Sequence, residues 1–276
     1  MTRRTILITG CSSGIGADAA RGLRARGWRV FAACRKPADC ERLRAQGVDA
    51  PQLDYTDPTS IASALEEVLA ETGGTLDALF NNGAYALPGA AEDLPADALR
   101  AIFDANVFGW HDLTVRVIPV MRAQGHGRIV NHSSVLGYVS IPWRAAYNAT
   151  KYATEALTDT LRIEMRDTPI HVVTLNTGPV SSRIRVNSIP HFERWIDWQG
   201  SARRAQYESS LLKRLYEDRG KDRWELPPAA VTRALVRAVE DARPRPRYYI
   251  TAPSRLMAVA RRVLPTRALD WVLSKG

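Results

Sequence analysis

Short apolar runs alternate with helix-periodic stretches along the first 175 residues, and that rhythm leaves the chain few folds to choose from. The runs fall at 5–9, 28–34, 48–53, 76–80, 128–132 and 170–175, with one more at 247–251. They are too short for core helices and rich in Val, Ile, Leu and Phe, as strands covered on both faces are. Between them the apolar spacing predicts helices at 15–26, 38–46, 58–71, 96–103, 110–122 and 145–166, and again at 227–241. Asp57 reads as the N-cap of the third helix, with Pro58 at its first position. Strand after helix after strand predicts an α/β fold: a doubly wound parallel sheet with helices on both faces. Residues 180–226 break the pattern. They are polar, aromatic and arginine-rich with no strand-like run, which predicts a helical lid over a substrate site within a single domain spanning 1–276. The tail at 253–276 carries an apolar face (Leu256, Met257, Val259, Ala260, Val263, Leu264) among arginines. Such a face more often buries against the core or a second subunit than on a membrane surface.

The first strand runs into Thr9-Gly10-Cys11-Ser12-Ser13-Gly14-Ile15-Gly16, and a helix follows. Glycines between strand and helix let the backbone turn tightly and approach a pyrophosphate, while the helix start supplies free N–H groups and a positive dipole end. The candidate phosphate loop is therefore Gly10, Ser12, Ser13, Gly14, Ile15 and Gly16. After the second strand come Arg35 and Lys36, with no acid at the strand end. An acid there would hold ribose hydroxyls, whereas cations accommodate a 2′-phosphate, so NADP is expected over NAD. Asp54, after the third run, is placed to accept from an adenine amine. Asn82, Gly83 and Ala84, after the fourth, are placed to line the nucleotide.

Tyr147 and Lys151 stand four apart on a helix, one turn from each other on one face. A nearby ammonium favours phenolate, and a phenol titrating near pH ~10 needs such help to exchange protons near neutrality. Ser134, at the end of the fifth strand, is able to return to the same cleft. Only five of the 38 cationic side chains are lysines, and lysine, unlike arginine, can give up its proton. The net charge of +9 suits phosphate-bearing ligands. No RNA-recognition motif, zinc finger or basic tract is present, which argues against nucleic acid. Cys11, Cys34 and Cys40 are odd in number and lack metal-ligand spacing, so no metal and a reducing cytoplasmic setting are expected.

TGCSSGIG at 9–16, NNGA at 81–84, Asn106, Ser134 and YNATK at 147–151, in this order, resemble the short-chain dehydrogenase/reductase family. Within it, the segment VFAACRKP is similar to the hydroxysteroid and retinol dehydrogenase branch. The resemblance implies a Rossmann fold, a nicotinamide cofactor, and carbonyl or alcohol chemistry on a small molecule. Tyr138, Trp143 and the aromatics of 190–224, Phe192 and Tyr207 among them, read equally well as walls of an apolar pocket for a lipophilic alcohol or ketone and as lid packing. It implies Tyr147 as general acid or base and Lys151 as the group that lowers its pKa and holds the nicotinamide ribose. Ser134 would polarise the substrate oxygen, Asn106 would support a water-linked proton path, and Gly178 and Val180 would complete the cofactor set. Family members are usually homodimers or homotetramers. The chain departs from the pattern in Gly83-Ala84, where the small residues are exchanged, and in Thr177, where proline is usual. A non-catalytic NADP(H) sensor on this fold is the alternative, but it would need none of Ser134, Tyr147 and Lys151.

Overall fold

The computed structural model describes residues 3–217 and 220–274. The last two tail residues and residues 218–219 of the expected lid lie outside this range. Among the described residues six parallel strands form one sheet: β1 (Thr5–Thr9), β2 (Arg29–Ala33), β3 (Ala78–Asn81), β4 (Gly127–Ser134), β5 (Ile170–Thr177) and β6 (Arg247–Tyr249), in the order β2-β1-β3-β4-β5-β6. The helices are α1 (Gly14–Ala25), α2 (Pro37–Arg44), α3 (Pro58–Thr72), α4 (Ala96–Phe103), α5 (Gly109–Gln124), α6 (Ala145–Glu164), α7 (Ile184–Trp195), α8 (Arg204–Gln206), α9 (Leu212–Tyr216), α10 (Ala229–Glu240), α11 (Ala252–Val263) and α12 (Thr266–Leu273).

Both faces of the sheet are covered, which is why every residue of β1 is buried. Alternation along the strand sends Ile6 and Ile8 into a core with α1 and α10, and Leu7 into a second core with α3 and α5. The expected N-cap holds: Asp57 accepts from the Thr59 amide at 2.9 Å, with Pro58 opening α3.

The 48–53 run does not form a strand of the sheet. It makes two isolated parallel bridges to the β2 side, Phe31–Asp49 and Cys34–Gln52. Asp49 and Pro51 accept from Ala32 and Cys34, and Leu53 donates back to Cys34. Alternate residues along such an edge must donate as well as accept, and Pro51 has no N–H to give.

Chain order reverses between β1 and β3, and their carboxyl ends open a crevice there, the place where ligands bind in open α/β sheets. Helices α4 and α5 are joined by a π-helical turn, Asp104–Phe108, that carries Asn106 into the interior. The 180–226 segment is helical, as expected. A third apolar cluster ties its Phe192, Tyr207, Leu211 and Leu215 to Ile102 of α4 and Ala146 of α6. Phe192 and Tyr207 are fully buried in that cluster, so they hold the segment down instead of walling a pocket. The tail forms α11 and α12, which bury little: Leu256, Val259, Val263 and Trp271 remain exposed. No helix of the described residues is long and apolar enough to cross a membrane.

Candidate active site

The glycine loop sits at the reversal point. Gly10 (φ 69°) and Gly14 (φ 57°) adopt left-handed backbone that glycine takes without strain. A Cβ on Gly10 would lie 2.6 Å from Gly83 Cα, and one on Gly16 would lie 2.4 Å from the Gly10 carbonyl oxygen. Two backbones therefore meet at the floor of the crevice. At Gly83 an added Cβ would lie 3.2 Å from the Gly10 nitrogen, tighter than ordinary contact, so glycine suits this position of NNGA. Ser13 makes no side-chain cap on α1, which leaves the first-turn N–H groups to face an anion.

Thr9 fastens this floor. Its hydroxyl accepts from the Asn82 and Gly83 amides at 2.9 and 3.0 Å and lies 2.8 Å from the Tyr55 hydroxyl. Asn82 donates to the Thr9 carbonyl at 2.9 Å, and the Trp110 indole donates to the Gly83 carbonyl at 2.7 Å. Neither Arg35 nor Lys36 pairs with an acid among the described residues, and both are exposed. The nearest acid on α2, Asp39, is engaged by Arg42 at 2.9 Å; Arg42 also donates to the Ser12 carbonyl at 3.0 Å. Bare backbone, an uncapped helix start and, among the described residues, unpaired cations are features that can take the phosphates of a dinucleotide. Asp54 spends one carboxylate oxygen on the Thr56 amide and hydroxyl. Gly178 donates to Thr251 at 3.1 Å, and Val180 bridges to Leu226 beside the glycine-loop core.

The chemical residues gather across the crevice. Ser134 ends β4, where its hydroxyl accepts from the Leu136 amide at 3.1 Å. Ser133 faces the opposite side of the strand, buried against Gly137. Tyr147 and Lys151 lie on α6 as the spacing requires, with Lys151 Nζ 5.5 Å from the Tyr147 ring centroid. Lys151 is only 2% exposed. Its ammonium donates to the His132 carbonyl at 2.7 Å and sits 4.4 Å from the Trp110 ring centroid. Burial pulls its pKa down to about 7, against the pull of Glu155.

Burial pushes the Tyr147 phenol above its usual value, and the influences that oppose this include the Arg144 guanidinium and the Ser134 hydroxyl. Arg144 is thus a second cation beside the phenol, in addition to Lys151, whose head group is held by the His132 carbonyl and lies over the Tyr147 ring. Desolvation outweighs the charge. The phenol is therefore protonated at neutral pH, the form that can donate.

Asn106 does not touch Lys151. Its carbonyl oxygen accepts from the Tyr85 amide at 3.1 Å; its amide donates to the Tyr85 carbonyl at 2.8 Å and to Thr150 at 3.4 Å. It fixes the segment that follows NNGA against α6. His132 bridges Asn82 and Thr177 through its two ring nitrogens, at 2.9 and 3.1 Å. Burial and then the Lys151 charge pull its pKa down to about 3, so the ring is neutral and unsuited to proton exchange at neutral pH. Facing the Asn82 carbonyl oxygen, Nδ1 carries the proton, and Nε2 lies 3.1 Å from the Thr177 hydroxyl, which is also within 3.3 Å of the Ser133 carbonyl. Sequence reasoning missed Thr9, Tyr55 and Trp110 as supports. Thr9 is 73 and 74 residues from the amides it holds, and only the β1–β3 pairing brings them together.

The sequence and the fold have relatives elsewhere. An Escherichia coli (strain K12) relative, the uncharacterized oxidoreductase YbbO, is 36% identical over 272 residues, 98% of this chain and 94% of its own. A Burkholderia phymatum short-chain dehydrogenase/reductase, crystallised with NAD, superposes with TM-score 0.77 at 23% identity over 95% of this chain and 92% of its own. A Burkholderia cenocepacia J2315 short-chain dehydrogenase, crystallised with NADP, gives TM-score 0.75 at 21% identity over 98% and 97%. With the short chain dehydrogenase family model matching residues 4–191, more than half of its length, the chain belongs to the short-chain dehydrogenase/reductase family of oxidoreductases.

Proposed function

We propose that the protein moves a hydride between NADP(H) and the oxygen-bearing carbon of a secondary alcohol or ketone, with Tyr147 giving or taking the proton. The observation that carries this reading is the convergence of Ser134, Tyr147 and buried Lys151 beside the crevice where Gly10 and Gly83 meet. The nicotinamide supplies or accepts the hydride; everything else falls to the protein. Tyr147 donates its phenolic proton to the carbonyl oxygen during reduction. Ser134 donates a hydrogen bond to that same oxygen and stabilises its charge. Lys151 holds the nicotinamide ribose with its ammonium, and Asn106 keeps the Tyr85 backbone and α6 in register. The partly buried Tyr85 and Trp143, at the edge of the cluster that Phe192 and Tyr207 fill, support a lipophilic substrate body. NADPH consumption against a broad panel of ketones tests the reading: turnover above background supports it, and none across the panel removes it.

NADP preference rests on Arg35 and Lys36. A charge-assisted contact to a 2′-phosphate is worth enough that NADPH should bind roughly tenfold or more tightly than NADH. In Arg35→Ala/Lys36→Ala the difference should shrink towards parity. Fluorescence titration with both cofactors measures it, and equal affinities in the unaltered protein would reject NADP selection.

The outer face of α5 and α6 supports self-association. Val115, Leu157 and Ile163 are exposed there, around a cavity of about 310 Å³ lined by Val107, Trp110, Leu157 and Leu161. Light scattering should show a dimer or tetramer, and Leu157→Glu should yield monomer. A monomeric unaltered protein would refute this assembly.

A further inference from the structure

Arg144 immediately precedes α6 and stands three residues before Tyr147, on the neighbouring turn. Its backbone is fixed from two sides. Residue 144 bridges to Gly89, and the Gly89 amide donates to the Trp143 carbonyl at 3.1 Å. Trp143 adopts φ 65°, a left-handed conformation that a bulky side chain rarely takes. The indole is held there by edge packing on Tyr207, with ring centroids 4.8 Å apart. Strain of this kind persists where the surrounding structure demands it, and it is concentrated at functional sites.

Among the described residues the guanidinium so positioned has no carboxylate partner and one hydrogen bond, a 3.3 Å contact to the Trp143 carbonyl. Burial, and then the charge of a second cation, Arg214 of α9, pull its pKa down to about 10. The two arginines are brought together because Trp143 and Ala146 share an apolar cluster with Leu211 and Leu215. Several acids on the surrounding elements are engaged elsewhere. Asp93 accepts from Tyr207 and Ser201, Glu193 accepts from Tyr216, and Glu92 and Glu208 pair with Arg203 and Arg204. A desolvated guanidinium beside another cation is costly unless an anion completes the site. The planar fork of arginine matches a carboxylate.

We propose that Arg144, assisted by Arg214, anchors a carboxylate of the substrate, so that the preferred compounds are lipophilic oxo or hydroxy acids with the acid group set apart from the reacting carbon. This rests on Tyr147 as the proton donor, which places the reacting oxygen one helical turn from the anchor. The test is a binding measurement that does not depend on turnover. The NADPH-loaded protein is titrated calorimetrically with 4-phenylbutanoate and with 4-phenylbutanamide, which share a skeleton and differ in charge. The acid is expected to bind at least about tenfold more tightly, the size of one charged hydrogen-bond pair. Arg144→Met should bring the acid down to the amide's affinity and leave the amide and NADPH unchanged. Arg144→Lys should restore part of the difference, and Arg214→Met should remove a smaller part while altering only an exposed side chain. Equal affinity of acid and amide in the unaltered protein, or no binding of the acid at millimolar concentration, overturns the proposal. So does an Arg144→Met variant that weakens both ligands or NADPH alike. Reduction of 4-oxo-4-phenylbutanoate is followed separately: carboxylate-selective binding without turnover would fault the assignment of Tyr147 and leave the anchor standing.

Discussion

Tyr147→Phe should reduce turnover of any accepted ketone by about 10³-fold, within the range general acid–base groups contribute, while NADPH binds as before. The substitution removes one oxygen and keeps the ring on α6, so the helix, Lys151 and the glycine floor stay in place. In the proposed reaction the phenol is the proton donor, and burial keeps it protonated at neutral pH. Stopped-flow measurement of NADPH oxidation, with a cofactor titration on the same sample, separates lost chemistry from lost binding. A variant that turns over within tenfold of the unaltered protein would mean that another group supplies the proton. The neutral His132 is not that group, since both ring nitrogens are already committed to Asn82 and Thr177.

Lys151→Met should likewise abolish turnover, and it should make the protein more stable. An ammonium 2% exposed is held in the interior against its preference for water. Its folded pKa of about 7 lies below the ordinary lysine value of 10.5. Between those two pH values the unfolded chain binds a proton that the folded chain does not, so stability rises with pH across that window. The penalty is fully present at pH 7 and below, on the order of 1.4 kcal/mol for each pKa unit. Methionine fills nearly the same volume without the charge. It leaves the His132 carbonyl without its donor, at about 1–3 kcal/mol. The net expectation is a Tm higher by about 2–6 °C at pH 7, given how a domain of this size converts free energy into temperature. The advantage should shrink towards zero as pH approaches 10. Differential scanning calorimetry at both pH values checks the sign, and a Tm below that of the unaltered protein at pH 7 would show that the buried ammonium stabilises the fold. A stability gain paired with loss of function is the mark of a residue kept for chemistry.

Much of this molecule is decided by residues close together in the chain. Alternating apolar runs set the parallel sheet, because a strand's face repeats every two residues and a helix's every 3.6, and both periods are readable in a short window. The glycines at 10, 14 and 16 specify the turn and the close approach by what they lack. Spacing of four placed Tyr147 and Lys151 on one face, and Asp57-Pro58 opened α3 as expected. The 48–53 run shows the limit of that reading: its composition is that of a strand, but Pro51 removes the donor that would have knit it into the ladder.

What local pattern could not decide is which groups meet across the sheet and how dry they become. Thr9 reaches Asn82 and Gly83 only because β1 and β3 are paired. Phe192 and Tyr207 read equally well as pocket wall or packing until α4, α6 and the 180–226 segment closed over them. Lys151 lies 5.5 Å from the Tyr147 ring as its spacing of four requires, but its head group is also taken by a carbonyl 19 residues away in sequence, and Arg144 adds a second charge beside the phenol. Helical spacing fixes the direction in which a side chain leaves the backbone. Its pKa follows from the water it loses and the partners it gains, and those are properties of the assembled fold.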